Sequence, residues 1–480
     1  MQKLFLKGLG ITLLLNLLVK PATIFMVDIK MQNELGSHQY GIFQTVLNFT
    51  FLFSMLLDMG ITNFMTRMIA QHPHMIHKYS DRLFTLRSLL ILFYVLWTVV
   101  LYFIIQLPAA WWWILALLIM HQVSIITVNY VRAYTGGLLR FGLDAVLSVV
   151  ERSVYFVLGC LLLYTQFVKP VSLEWFIGIF VTSSSLSLLT AAFIYFKLVS
   201  FPRFKWDKRF FISLLRQSYP YAMLVILMML CVRLDAVFLE TIHPQGTRQV
   251  AYYTQSFRLL DACWMFAVLF GSILLPVYSR VLKEKSSTTG IMTHALNLLL
   301  SGGLIMIAFT VGLRETIFDA LYKDANHFAY NSWIFLSMTF IPMCFTIVFG
   351  TLLTANQSLR KLNQIALISL ITMIILNLVL IPFLGAVGTG IAAFVSQGVM
   401  GLLQYLEVRK RMKHDVAPGT WNKLLFLMFA LGAVLAVQLY FNFNPLLFIL
   451  TLGIVWVVLV FGLKIIDVVQ FIGLLKQPKK

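Results

Sequence analysis

The chain has 480 residues, of which 60% are hydrophobic and 11% charged, with a formal net charge of +19. A soluble domain carries roughly 25% charged residues, so this chain lacks the polar surface to cover soluble cores of its size. That excludes a cytosolic enzyme, a secreted domain and a disordered scaffold, and it predicts an all-α integral membrane protein.

A spanning helix needs about 20 mostly apolar residues. Breaking the chain at polar clusters predicts spans near 4–27, 39–61, 83–105, 109–131, 143–165 and 171–196 in the first half. The second half gives 217–240, 249–279, 291–313, 328–354, 362–382, 385–406, 421–440 and 445–463, about 14 transmembrane helices in all. Lys3 and Lys7 precede the first apolar run as a secretory signal would. The run continues through Lys20 and Pro21 without a small-residue cleavage site, so it is read as a retained first span. The connections average about a dozen residues, too short to hide a soluble catalytic domain.

Alternating the spans from a cytoplasmic N-terminus puts 28 Lys and Arg in inside segments, 5 in outside segments and 4 within spans. This follows the positive-inside rule along the whole chain and predicts both termini in the cytoplasm. The positive charge therefore belongs to membrane topology and not to nucleic-acid binding. The basic, aromatic stretch FPRFKWDKRFF in the segment 197–216 is read as an amphipathic element on the anionic inner leaflet, joining two lobes.

Several features read as structural. Cys160, Cys231, Cys263 and Cys344 all fall in apolar runs, as small buried hydrophobes do. His72, His74 and His77 lie in an inside loop and read as solvated. Trp111, Trp112 and Trp113 follow Pro108 at an outer boundary, as an aromatic belt. Thr182 to Ser185 with Ser187 reads as helix packing. No Walker A loop is present, so ATP does not drive transport directly, and no cofactor is expected.

The polar residues inside spans carry the functional reading. Lys20, Arg152, Arg233 and Arg258 each cost about 2.5–3.5 kcal/mol near a helix centre, so each is expected to face water or a partner. Asn16 and Lys20 share a stripe with Thr12 and Thr23 in span 1, and Gln44 and Asn48 are one turn apart in span 2. Asp144, Ser148, Glu151 and Tyr155 line one face of span 5, with Arg152 beside them. Gln255, Arg258 and Asp261 follow at i, i+3 and i+6 in span 8. Arg233 and Asp235 are two apart, point in different directions and must each look to another helix. Asp58 with Arg67, Arg258 with Asp261 and Arg152 with Glu151 are the natural ion pairs.

HQYGIFQT at span 2 and RQVAYYTQ at span 8 share a register of Gln, small residue and aromatic (Gln39, Gly41, Phe43; Gln249, Ala251, Tyr253), which hints at two related lobes. Longer strings carry a family resemblance. LNLVLIPFLGAVGTGIAAFVSQ places Asn377 late in one span, Pro382 at its end, and Gly385, Gly388 and Gly390 at the start of the next. It resembles the span 11–12 hairpin of the multidrug/oligosaccharidyl-lipid/polysaccharide (MOP) exporter superfamily. ELGSHQYG (Glu34 to Gly41), LLDMGITNFMTR (Leu56 to Arg67) and FGTLLTANQSLRKL (Phe349 to Leu362) resemble the same superfamily's span 2 ends and its span 10–11 turn. The span count matches the polysaccharide and lipid-linked oligosaccharide (O-antigen type) flippase branch, since the drug-exporting branch usually stops at twelve.

The resemblance implies two pseudo-symmetric six-helix lobes and a C-terminal helix pair. The expected division is 1–198 for the N-lobe, 199–216 for the linker, 217–408 for the C-lobe, and 409–480 for spans 13–14 and the tail. It also implies that the first two spans of each lobe line a central cavity. Lys20, Arg233, Arg258 and Arg152, with Asn16, Gln44, Asn48 and Gln255, are then the expected cationic binding site for a pyrophosphate head group. Asp28, Asp235 and Glu240 are the candidate ion-coupling groups.

The expected activity is alternating-access flipping of a lipid-linked oligosaccharide across the bacterial cytoplasmic membrane, as part of polysaccharide or lipopolysaccharide synthesis and alongside polymerase or assembly proteins. The rivals are an ion-coupled multidrug exporter of the same fold and a peptidoglycan lipid-precursor flippase. A membrane polymerase or glycosyltransferase would need a large outer loop with paired acids, and the longest outer segment, 314–327, is far too short. The chain is not expected to be an enzyme.

Overall fold

The computed structural model describes residues 19, 21–62, 65, 69, 76–138, 140–165, 170–199, 202–284, 286–412, 415–441 and 443–465. Among them there is no strand. Lipid offers the backbone no hydrogen bonds, so a chain this apolar satisfies its amides within helices. After a π-helical turn, Ile24–Asp28, the helices run α1 (Ile29–Phe53), α2 (Ile76–Ile104), α3 (Trp112–Gly137), α4 (Phe141–Tyr164) and α5 (Leu173–Leu198). They continue as α6 (Lys208–Ile242), α7 (Gly246–Lys283), α8 (Thr289–Gly312), α9 (Arg314–Leu321) and α10 (His327–Phe345). A π turn, Thr346–Gly350, and a short helix, Thr351–Ala355, prolong α10. Last come α11 (Leu359–Leu384), α12 (Ala386–Met412), α13 (Thr420–Phe441) and α14 (Pro445–Gly462).

Eleven helices among the described residues are long and apolar enough to cross a membrane, and the chain is a multi-pass membrane protein. The expected total of about 14 is approximate, and most of the first expected span lies outside the described residues. A further helix, α1, is 25 residues long but too polar to join the eleven, whereas α7, 38 residues long, carries the apolar run 259–276 with Asp261 as its one charged residue. A polar helix in a bilayer needs protein around it. The polar residues Gln32, Gln44, Thr45 and Asn48 of α1 are accordingly buried.

Two boundaries differ from the expected ones. The spans flanking residues 28–38 are not separated by a loop. The chain stays helical on either side of Gly36, whose φ of 76° and ψ of 164° break the helix at a single residue. That conformation suits glycine alone, so a sharp bend replaces the connection. Likewise α6 starts at Lys208 and not at 217, because the Asp207 carboxylate accepts from the Phe210 amide and caps the helix there.

The chain packs as two compact units. The first runs through Thr254 and includes Tyr322–Asp324; the second comprises Gln255–Leu321 and Ala325 onward. In the first, α3 packs on α5 and α1 on α6, around Phe43, Phe49, Leu118, Tyr155 and Phe176. Ser183, Ser184 and Ser187 are buried on α5, small residues that let helices approach closely in lipid. Trp112 and Trp113 stand exposed at the start of α3, as a boundary belt requires.

In the second unit α12 lies against α10 and α11, and α8 against α13. A Cβ on Gly390 would stand 3.0 Å from the Ser332 carbonyl oxygen, and one on Gly401 would stand 2.8 Å from that of Pro342. These glycines allow the α10–α12 contact. Gly385, at φ 53°, turns the chain between α11 and α12. Between α13 and α14 lies an open apolar pocket of about 390 Å³ lined by residues such as Val434, Val437, Phe448 and Thr451.

Candidate functional site

The polar residues of the first unit form a seam between α1 and α6. Arg233 lies on α6 and its guanidinium Nη1 donates to Asn48 Oδ1 of α1 at 3.0 Å. The same guanidinium carbon sits 4.7 Å from the centre of the Phe51 ring, one turn along α1. One side chain of α1 thus supplies a hydrogen bond and another an aromatic face, both of which suit a planar guanidinium. Arg233 is half-buried, so its charge is partly shielded from lipid while part of the group stays open.

Asp235, two residues on, is buried and turns elsewhere. It accepts from the Tyr253 hydroxyl at 3.0 Å. Glu240, near the end of α6, accepts from Thr247 Oγ1 at 2.8 Å and from Thr45 Oγ1 at 3.4 Å. Beside it, Gly41 lets α1 come within contact of the Thr247 backbone; a Cβ there would lie 2.1 Å from that carbonyl oxygen. Gln32 Nε2 donates to the Ala251 carbonyl at 3.3 Å. These polar contacts tie α1 to α6 and to the start of α7, beside the apolar packing of Phe43, Val46 and Val237.

At the bend of α1, Asp324 Oδ2 accepts from the Ser37 amide at 3.1 Å and from its hydroxyl at 3.0 Å. Lys323 adds its own amide to Asn33 Oδ1 at 2.9 Å and its ammonium to Glu34 Oε1 at 3.1 Å. Two residues distant in sequence, Lys323 and Asp324, thereby fasten the Gly36 bend, and Asp324 serves the helix that restarts at Ser37 as a capping carboxylate would.

Asp28 is buried and accepts from the Tyr155 hydroxyl on α4 at 2.7 Å. Arg152, on the same helix, contacts the adjacent Glu151 carboxylate at 3.3 Å. The exposed apolar stripe of α4 runs through Val146, Val157 and Leu161. At 100° per residue Arg152 lies roughly 140° around the helix from Val157, yet its side chain is 40% exposed. Arg152 is thus a mid-span arginine turned away from the exposed apolar stripe of its helix.

The other expected residues fall as follows. Gln44 is buried on α1. Gln255 is buried and Arg258 half-buried on α7, in the second unit. Lys20 and Asn16 lie outside the described residues, as do Arg67, His72 and His74. Asp58 pairs with Arg87 at 3.0 Å, whose Nη2 also donates to the Ile126 carbonyl at 2.6 Å. Asp144 takes Arg132 through both oxygens, at 2.9 and 3.3 Å. No group of three or more metal-ligating side chains occurs among the described residues.

The partner residues Phe51, Tyr155, Tyr253, Thr45 and Thr247 complete these contacts. Of them, only Tyr155 stood in a polar stripe that sequence periodicity displays. The rest are ordinary aromatic and hydroxyl residues whose roles appear once the helices are packed.

A family model described as polysaccharide biosynthesis protein matches residues 5–282. No curated protein matches the sequence. Among solved structures, a lipid II flippase MurJ in an inward closed conformation is 14% identical with a TM-score of 0.66, over 95% of this chain and 97% of that chain. An inward-facing multidrug resistance MATE family transporter of the MOP superfamily gives 0.62 at 14% identity, over 84% and 94%. A MOP superfamily transporter from Pyrococcus furiosus gives 0.59 at 14% identity, over 85% and 95%. At these identities the likeness is one of fold, and the fold is that of the MOP superfamily.

Proposed function

Because the chain belongs to the polysaccharide biosynthesis protein family, we propose that it is a flippase that carries a lipid-pyrophosphate-linked oligosaccharide across the bacterial cytoplasmic membrane. The carrying observation is that arginines stand in mid-span on faces turned from lipid, held by neutral or aromatic groups as well as by acids. Arg233 has Asn48 and Phe51 for partners, and Arg152 stays 40% exposed beside Glu151. A guanidinium held by an amide and a ring can exchange them for a pyrophosphate oxygen pair, to which it binds bidentately. Lys20 and Arg258 complete the cationic set, and Asn16, Gln44, Asn48 and Gln255 supply hydrogen bonds for sugar hydroxyls. The prenyl tail remains in the bilayer, and the open apolar pocket between α13 and α14 offers it a place beside the protein.

Movement follows alternating access, with cargo binding biasing the inward and outward states. Asp28, Asp235 and Glu240 are the acids through which an ion gradient would reset the cycle. No bond is made or broken in this scheme, so the protein acts as a transporter and not as an enzyme. Both termini lie in the cytoplasm, in keeping with the Lys and Arg distribution.

A peptidoglycan lipid precursor is the second reading, favoured by the 95% coverage in the match to the lipid II flippase. Both cargoes share the pyrophosphate and the prenyl chain and differ in the sugar. Deleting the gene and restoring it with Arg152→Ala, Arg233→Ala or Arg258→Ala tests the proposal. Surface glycan is expected to fall at least about tenfold for each variant at equal protein level, the scale of a lost charge-assisted hydrogen bond. Unchanged glycan in all three variants contradicts the cationic site. Loss of cell-wall synthesis with glycan intact selects the second reading.

A further inference from the structure

The segment before α6 is built as a fixed surface. The Arg203 amide donates to Asp81 Oδ1 at 3.0 Å and the Lys205 amide to Thr85 Oγ1 at 2.8 Å. Arg82 joins the Asp207 carboxylate at 3.2 Å. Aromatic contacts add to these bonds: Phe204 meets Phe84 edge-on, Trp206 meets Phe211, and Phe210 stacks on Tyr79. Residues 202–207 are thereby pinned to the first turns of α2 in an extended path.

What this path displays is both basic and greasy. Phe204 is 73% and Trp206 70% exposed, and Arg203, Lys205, Lys208 and Arg209 are exposed around them. The theme continues along α6, where Arg209, Ile212, Arg216 and Tyr219 recur at helical spacing and are all exposed. In sequence, the uncharged run of α2 begins after Arg87, that of α5 ends before Lys197 and that of α6 begins after Arg216. The surface therefore lies where hydrocarbon gives way to head groups. Exposed rings with basic residues between them suit that layer, the rings entering the acyl boundary and the cations meeting phosphates.

We propose that this surface is a binding site for the head groups of anionic phospholipids, with Arg203, Lys205, Lys208 and Arg209 holding the phosphates and Phe204 and Trp206 wedged among the acyl chains. The inference is independent of the cargo. Because the backbone is already ordered by α2, lipid binding does not have to order it, and a small number of retained lipids is expected in place of a diffuse charge effect.

The test uses the full chain purified in detergent, with phosphatidylglycerol and phosphatidylcholine offered together and bound lipid counted by native mass spectrometry. The wild type is expected to retain phosphatidylglycerol about tenfold more strongly, in line with the worth of basic residues at an anionic surface. Replacing all four basic residues by Ser should abolish that preference while leaving phosphatidylcholine binding and helical content unchanged. Should the fourfold variant fail to fold, R203S/K205S is confined to the extended segment, keeps both anchoring amides and is expected to lose at least about threefold. Arg360→Ser with Lys410→Ser, equal in charge to that pair but elsewhere, should keep the wild-type preference. Equal retention of the two lipids by the wild type overturns the proposal. So does an unaltered preference in the Ser variants, an equal loss in the control, or displacement of phosphatidylglycerol by inorganic phosphate at matched concentration.

Discussion

The α1–α6 seam and the α10–α12 seam join helices of comparable length by opposite means. Along α1 and α6 the joining groups are Asn48 with Arg233 and Thr45 with Glu240. Along α10 and α12 they are gaps, the missing side chains of Gly390 and Gly401 over the Ser332 and Pro342 carbonyls. A contact made by removed atoms has one good arrangement and resists change. A contact made by hydrogen bonds can trade a partner for water or for a ligand at small net cost. The first seam is thus suited to the moving and binding parts of a transporter, and the second to its frame.

The largest effects are expected where a charge is buried for structure and not for exchange. Asp58→Ala would strand Arg87, whose side chain is 4% exposed, at a cost of about 3–5 kcal/mol. The readout is a thermal unfolding midpoint in detergent, together with the amount of folded protein. If the variant unfolds like the wild type, Arg87 is not held by Asp58 in the way its 3.0 Å contact implies.

Next in size is the frame itself. Gly401→Val would push a side chain against Pro342 and Phe345 and is expected to cost about 1–3 kcal/mol. Gly36→Ala tests the bend of α1 in the other seam. At φ 76° and ψ 164° an alanine is strained by about 1–3 kcal/mol, so the midpoint should fall by a similar margin. A Gly401→Val protein with an unchanged midpoint would remove the distinction between frame and moving seam.

The smallest stability effect is expected at the arginine proposed to bind the cargo. Arg233→Ala removes a half-buried charge from a membrane span, which itself costs about 2.5–3.5 kcal/mol, along with the hydrogen bond to Asn48 and the contact with Phe51. The midpoint should hold or rise while transport is lost, the exchange of stability for activity common at binding sites. A large fall in midpoint would mean that Arg233 is structural.

Much of the fold was legible because lipid imposes a simple grammar. Runs of apolar residues and the Lys and Arg between them located the eleven apolar spans to within a few residues. The bend at Gly36 escaped because one glycine with positive φ does the work of a polar connection. The early start of α6 escaped because Arg209 and Arg216 look like loop residues to a hydropathy count, although Asp207 is an ordinary helix cap. In the site, periodicity showed that Arg233 and Asp235 diverge and that Asn48 shares a face with Gln44. It could not show that Asn48 receives Arg233, that Tyr253 serves Asp235, or that Asp58 takes Arg87. Faces are local properties of a helix; partners depend on which helices pack.

The most direct measurement is flipping of a fluorescent prenyl-pyrophosphate oligosaccharide in vesicles holding the purified protein, scored by the fraction of label reached by an outside quencher. The wild type should move the label across. Arg233→Ala and Arg152→Ala, folded and inserted to the same extent, should slow it at least about tenfold each, the scale of a lost charge-assisted contact. Equal rates for the wild type and both variants would contradict a cationic route for the pyrophosphate.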